Sequence, residues 1–219
     1  MKEYQAIIFD MDGTLIDSMH IWREVDRKFL HKRGLSVPQD LFHHLPQGNS
    51  FIQTAQYFKD RFGLPESTEV IMQEWNDMVS WHYENEVTLK PGAKEVLDKL
   101  YQRKVPLGLG TSNSYALAQK VLSSNRIWDY FSAVVTGDMQ IQGKPYPDIY
   151  LECARLLNVS PVSCLVIEDT LSGIQAAKAA NMKVIAIYDE DSLEFHPQIQ
   201  ALADIFVYNY KELEKVLNL

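Results

Sequence analysis

Two aspartates separated by one residue, Asp10 and Asp12, follow a short apolar run and precede Gly13-Thr14. Carboxylates at that spacing can divide labour, one attacking or holding a metal while the other moves a proton. Gly13 lets the chain turn sharply beside them. A solvated Asp-Gly turn at a strand end fits the same residues. Three more groups of this kind recur along the chain. Gly108-Leu109-Gly110-Thr111-Ser112-Asn113 offers a hydroxyl and successive N–H groups suited to phosphate oxygens at the mouth of a helix, or a plain helix cap. Gly143-Lys144-Pro145-Tyr146-Pro147-Asp148 holds a lone lysine on a loop stiffened by prolines, which alone reads as an exposed lysine. Glu168-Asp169-Thr170, with Ser172-Gly173 opening a helix, supplies adjacent acids; facing another Asp pair, they make an oxygen-rich pocket suited to Mg²⁺.

Residues so far apart in sequence meet only if a regular scaffold brings them to one edge. Apolar runs rich in Val and Ile occur at 6–9, 105–109, 133–135, 164–167 and 184–187, too short for helices and without polar alternation. That pattern predicts strands buried on both faces. Helix signals lie between them: Pro91-Gly92 opens a stretch to about residue 104, 148–157 stops at Asn158, and 172–180 stops at Asn181. The fold class is α/β, a doubly wound, parallel, Rossmann-like sheet, and the chemical groups follow its strands, where such sheets bind ligands.

From 17 to 87 the strand pattern disappears and three helical periodicities replace it. Trp22, Val25, Phe29 and Leu30 share one face before Gly34; Phe51, Ala55, Phe58 and Phe62 share another before Gly63; Ile71, Trp75, Met78 and Val79 share a third before Glu86. An all-helical cap subdomain, 17–87, is thus expected inside a core made of 1–16 and 88–219, with hinges near Asp17 and Thr88. Trp22, Trp75 and Trp81 read as core or cap–core contacts. Gln47-Gly48-Asn49-Ser50 is a loop between cap helices.

The 219 residues suffice for one large domain with an insertion, and 46% hydrophobic with 23% charged residues is an ordinary globular composition. No apolar run approaches the ~18 residues of a membrane helix. A net charge of −8 without a basic run repels a phosphate backbone, so nucleic acid is not an expected partner. Met1-Lys2-Glu3-Tyr4-Gln5 passes into the first strand without a signal-like stretch, and a cytoplasmic setting is expected. Cys153 and Cys164 read as reduced core residues. His43-His44 diverge on a helix and His20 and His82 stand singly, so a histidine metal site is not expected.

In order, the four groups resemble the signature motifs of the haloacid dehalogenase superfamily, in its phosphatase branch, across essentially the whole chain. Asp10-Met11-Asp12-Gly13-Thr14 resembles the nucleophile motif, Thr111 the second-motif hydroxyl, Lys144 in Gly-Lys-Pro the third motif and Glu168-Asp169 the acidic fourth. The insertion resembles the first-type cap of the branch that contains β-phosphoglucomutases and sugar-phosphate phosphatases. The resemblance implies Asp10 as nucleophile, Asp12 as general acid/base and Mg²⁺ held by Asp10, the Asp12 carbonyl and Asp169, with Glu168 in or near the shell. Ser112 and Asn113, in the segment after the second strand, are expected substrate contacts, and the resemblance implies a specificity loop around Gly48.

Charge arithmetic agrees: Asp10, Glu168 and Asp169 carry about three negative charges, and one Mg²⁺ with Lys144 supplies about three positive ones. That balance leaves Asp12 neutral and able to donate a proton. The expected activity is Mg²⁺-dependent hydrolysis of a small phosphorylated metabolite, a sugar phosphate, through an aspartyl-phosphate. A phosphosugar mutase is the alternative. It is weakened because β-phosphoglucomutases carry a histidine ten residues after the second Asp and an Arg in the first cap loop, where this chain has Trp22 and Gly48-Asn49-Ser50-Phe51. His20, two residues early, is turned about 200° away on a helix. A signalling receiver is disfavoured by the insertion, and dehalogenation by an idle Asp12. Oligomeric state is not legible.

Overall fold

Six strands, β1 (Ala6–Phe9), β2 (Leu107–Gly110), β3 (Phe131–Val135), β4 (Cys164–Glu168), β5 (Lys183–Ile187) and β6 (Ile205–Val207), form one sheet in the computed structural model. Their order is β3-β2-β1-β4-β5-β6, and every neighbouring pair is parallel. The structure describes residues 4–41 and 50–219. The order reverses at β1, which places the Asp10–Asp12 segment at the switch point where ligands of such sheets bind.

The central strands are apolar throughout because both faces are covered. Ile7 and Phe9 pack on one side with Leu107, Leu109, Leu165 and Ile167, whereas Ala6 and Ile8 pack on the other with Val166, Val184 and Ala186. At the edge the pattern relaxes, and Ser132 of β3 is exposed. Among the described residues the helices of the insertion are α1 (Met19–Lys32), α2 (Phe51–Phe62) and α3 (Thr68–Asn85). α4 (Ala93–Gln102), α5 (Tyr115–Ser124), α6 (Asp148–Leu157), α7 (Leu171–Ala179), α8 (His196–Leu202) and α9 (Tyr210–Val216) follow. Gly63, Asn158 and Asn181 take left-handed backbone conformations after the helices they stop.

The inserted helices pack around aromatic contacts, with Phe58 5.1 Å and Phe29 5.5 Å from the Trp75 ring centroid. Trp75 is buried, but Trp81 is 58% exposed and leans on His82, which corrects its reading as a core contact. The two crossings between sheet and insertion touch each other: Ile16 bridges Leu89, and the Lys90 N–H donates to the Leu15 carbonyl at 2.8 Å. His20 and His82 line one cavity of about 260 Å³ between α1 and α3, together with Ile21, Val25 and Met78. Among the described residues no helix is long and apolar enough to cross a membrane, and both cysteines are buried and unpaired.

Candidate active site

Four loops at the carboxyl ends of β1, β2, β3 and β4 bring Asp10, Asp12, Thr111, Lys144, Glu168 and Asp169 together. Asp10 directly follows β1, and its N–H donates to the Ile167 carbonyl at 3.0 Å. The loop turns at Gly13, φ +84°, where a Cβ would clash with the Asp169 carboxylate. Glycine here serves both a positive φ and a close approach. Oxygens of Asp10, Glu168 and Asp169, all buried, lie within 4.8 Å of one another.

Lys144 holds this cluster together. It is 1% exposed, and its Nζ donates to Asp10 Oδ1 and Glu168 Oε1, each at 2.6 Å. Burial opposes its charge, but Asp10 and Glu168 outweigh that and hold the ammonium well above its usual range. Burial raises the Asp10 carboxyl to about 7 against the opposing pull of Lys144. Burial also raises Asp169, with Glu168 and Asp10 adding repulsion. Three acids packed so closely favour a cation among them.

Glu168 is more fully engaged than its motif suggests. Its oxygens accept from Lys144, the Tyr150 hydroxyl, the N–H groups of Asp169 and Thr170, and the Thr170 hydroxyl. Asp169 accepts from the Thr14 hydroxyl at 2.7 Å, and its other oxygen lies close against Gly13. Thr111 is buried at the end of β2, where its oxygen accepts the Asn113 N–H at 3.1 Å.

Asp12 is bound from both sides of the boundary between sheet and insertion. Ser18 Oγ donates to Oδ1 at 2.6 Å, the Tyr83 hydroxyl of α3 donates to the same oxygen, and Asn113 Nδ2 donates to Oδ2 at 3.1 Å. Trp22 Nε1 in turn donates to the Tyr83 oxygen at 2.9 Å. Burial, and then the Asp12 charge, hold the Tyr83 phenol well above its usual range, so it stays a donor. Asn113, expected at the substrate, spends its amide on Asp12 and Tyr83. Ser112 sits beside it on the loop after β2, its carbonyl against Gly137. Gly48 lies outside the described residues.

Sequence reasoning missed Tyr83, although its signal was present: it continues the Ile71, Trp75, Val79 stripe by four residues, and a buried phenol needs a partner. It also missed Lys90 and Asp189. Lys90 donates to the Gly13 carbonyl and to Asp189 Oδ2, the latter at 2.6 Å, bracing the nucleophile loop from the second crossing.

The insertion is seated on these loops. A Cβ at Gly143 would collide with Ser50 at the start of α2. Ser114 Oγ donates to Asn76 Oδ1 at 2.7 Å, Lys120 pairs with Glu84 at 2.8 Å, and Arg23 of α1 pairs with Asp191 beyond β5. Tyr83→Phe is expected to lower kcat about tenfold with little change in KM and to shift the pH profile, since a hydrogen bond to a charged group contributes roughly 1.5–3 kcal/mol. An unaltered kcat and pH profile would show that the Tyr83 contact serves packing alone.

The sequence profile of the haloacid dehalogenase-like hydrolases matches residues 7–187. Over 187 residues, 85% of the chain, it is 33% identical to the bifunctional riboflavin kinase/FMN phosphatase of Arabidopsis thaliana and spans 49% of that longer protein. Hexitol phosphatase B of Escherichia coli K12 is 28% identical over 188 residues, covering 85% of this chain and 84% of the relative. Among solved structures, CbbY from Rhodobacter sphaeroides in complex with phosphate superposes with a TM-score of 0.86 at 23% identity, over 99% of this chain and all of that one. That likeness concerns the fold.

Proposed function

The chain belongs to the haloacid dehalogenase-like hydrolases, and from that membership we propose that it is a Mg²⁺-dependent phosphatase of a small phosphorylated metabolite, a sugar or sugar-alcohol phosphate in the cytoplasm. The observation that carries this is a buried Lys144 shared by Asp10 and Glu168, beside a third buried acid, Asp169. It pairs a carboxylate nucleophile with a cation and with an oxygen pocket of metal size.

The donor set fits a hard divalent cation, because Asp10 and Asp169 present oxygens and the loop turns tightly at Gly13. With the Asp12 carbonyl these residues would hold Mg²⁺, and Glu168, occupied by five donors, would orient Lys144 instead. When bound, the metal supplies charge neutralisation for the phosphate dianion.

In the proposed reaction Asp10 attacks phosphorus, the bond to the leaving oxygen breaks, and Asp12 gives that oxygen a proton. Asp12 then takes a proton from water, which attacks the aspartyl-phosphate, releases phosphate and restores Asp10. Oδ1 of Asp12 is taken by Ser18 and Tyr83, so Oδ2, with Asn113 as its donor, is the oxygen left to carry the proton. Lys144 and the Thr111 hydroxyl receive the phosphate oxygens. Residues 17–87 act as a lid on the core formed by 1–16 and 88–219, excluding bulk water as they close.

Water is the acceptor because Trp22, at the position where mutases carry histidine, spends its one donor on Tyr83. The test is a screen of phosphorylated metabolites with Mg²⁺, reading released phosphate. Sugar and hexitol phosphates are expected to be hydrolysed, EDTA to stop the reaction, and excess Mg²⁺ to restore it. With β-glucose 1-phosphate and a trace of the bisphosphate, free phosphate is expected and little glucose 6-phosphate. Stoichiometric glucose 6-phosphate with background phosphate would replace the phosphatase reading with the mutase one.

A further inference from the structure

Buried charges in this protein gather at the strand ends, and there each is answered. Asp10 and Glu168 meet Lys144, Asp169 meets Thr14, and Asp189 meets Lys90. Asp26, in the middle of α1, is the exception. It is 8% exposed on a helix whose Ile21, Val25, Phe29 and Leu30 are also buried, and among the described residues nothing donates to it or pairs with it. Loss of hydration is the influence acting on its carboxyl, raised to about 7.

Its orientation follows from the helix. Ser18, at the start of α1, donates to Asp12, so α1 departs from the reacting groups. Trp22 reaches Tyr83, which donates to Asp12, and Asp26 stands four residues beyond Trp22 on the same face. At 1.5 Å per residue, Asp26 is about 12 Å along α1 from Ser18. When phosphorus is at Asp10 and the leaving oxygen at Asp12, that is the depth of the far end of a five- or six-carbon ester.

We propose that Asp26 is a specificity-determining residue that accepts hydrogen bonds from hydroxyl groups at the end of the substrate remote from phosphorus. The proposal rests on the phosphatase reading and names its substrate class, a polyhydroxylated sugar or sugar-alcohol phosphate. A carboxylate only 8% exposed and without a partner penalises the folded chain. Vicinal hydroxyls satisfy both of its oxygens, whereas an ester lacking them leaves it unanswered, and such asymmetry is the strongest means a site has of rejecting an analogue.

The experiment compares wild type, Asp26→Asn and Asp26→Leu on sorbitol 6-phosphate, p-nitrophenyl phosphate and phosphoethanolamine with Mg²⁺. Asp26→Leu is expected to lower kcat/KM for sorbitol 6-phosphate about 100-fold, mainly through KM, and Asp26→Asn less. The nitrophenyl ester, which has no hydroxyls, is expected to change less than threefold. The melting temperature at pH 8 is expected to rise in Asp26→Leu, whereas a residue serving the fold alone would lower it. Equal changes on both esters, or none, would overturn the proposal, as would a loss confined to phosphoethanolamine, which marks an ammonium site. If wild type hydrolyses none of the three, the phosphatase reading fails, and calorimetric binding of sorbitol 6-phosphate to wild type and Asp26→Leu still decides the role of Asp26.

Discussion

Asp10→Asn is expected to reduce phosphate release by at least about 10⁴-fold, roughly 5.5 kcal/mol of transition-state stabilisation, with no loss of melting temperature. The substitution keeps the shape of the side chain and an oxygen for Lys144 Nζ, now 2.6 Å away. What disappears is the nucleophile, because a neutral amide cannot form the acyl phosphate. It also removes one of three buried acids whose oxygens lie within 4.8 Å of one another, so the folded state is relieved of repulsion. Activity therefore falls without a fall in stability, which separates this outcome from general damage. The measurement is single-turnover phosphate release beside a thermal melt. An Asp10→Asn protein that turns over within tenfold of wild type would assign the nucleophile elsewhere.

Much of this site was legible because the rule for open α/β sheets converts sequence position into spatial position. Asp10, Thr111, Lys144 and Glu168-Asp169 each follow a run of buried apolar residues, and parallel strands bring all those ends to one edge. The insertion was legible for a related reason. Phe51, Ala55 and Phe58 repeat at helical spacing and pack inward together, and Gly63 stops the helix with a left-handed backbone. What escaped were contacts that periodicity does not encode. Tyr83 reaches Asp12 across 71 residues because the last turn of α3 comes back to the loop after β1, and nothing in either segment states that meeting. β6 escaped because it has three residues, half-exposed at the sheet edge, too few to show a period. Asn113 follows β2, where backbone N–H groups are expected to meet phosphate; what its position does not tell is that its side-chain amide has two donor hydrogens, which go to Asp12 and Tyr83. Asp26 was invisible for the opposite reason: its helical phase is that of a core residue, and its meaning lies in the partner it lacks.

Lys144→Met is expected to destabilise the protein by about 3–5 kcal/mol, the cost of removing one partner of a buried ion pair, and to abolish turnover. For a chain of this length each kcal/mol shifts the melting temperature by roughly 2–4 °C, so the fall is about 10 °C. The argument begins with volume: methionine occupies nearly the space of the lysine stem, and the Tyr150 ring, 5.3 Å from Nζ, keeps a neighbour. Charge is what changes, since Asp10 and Glu168 each lose the donor they hold at 2.6 Å. Two measurements identify the cause. Adding Glu168→Gln to Lys144→Met should recover part of the melting temperature, because it removes the acid left without a cation. Millimolar Mg²⁺ should raise the melting temperature of Lys144→Met, because an ion that binds only the folded chain stabilises it by mass action. Neither treatment should recover turnover, because Lys144 is also the cation proposed to receive phosphate. A melting temperature within 2 °C of wild type would show that the buried acids are neutralised without Lys144, and the charge balance proposed for the site would be wrong.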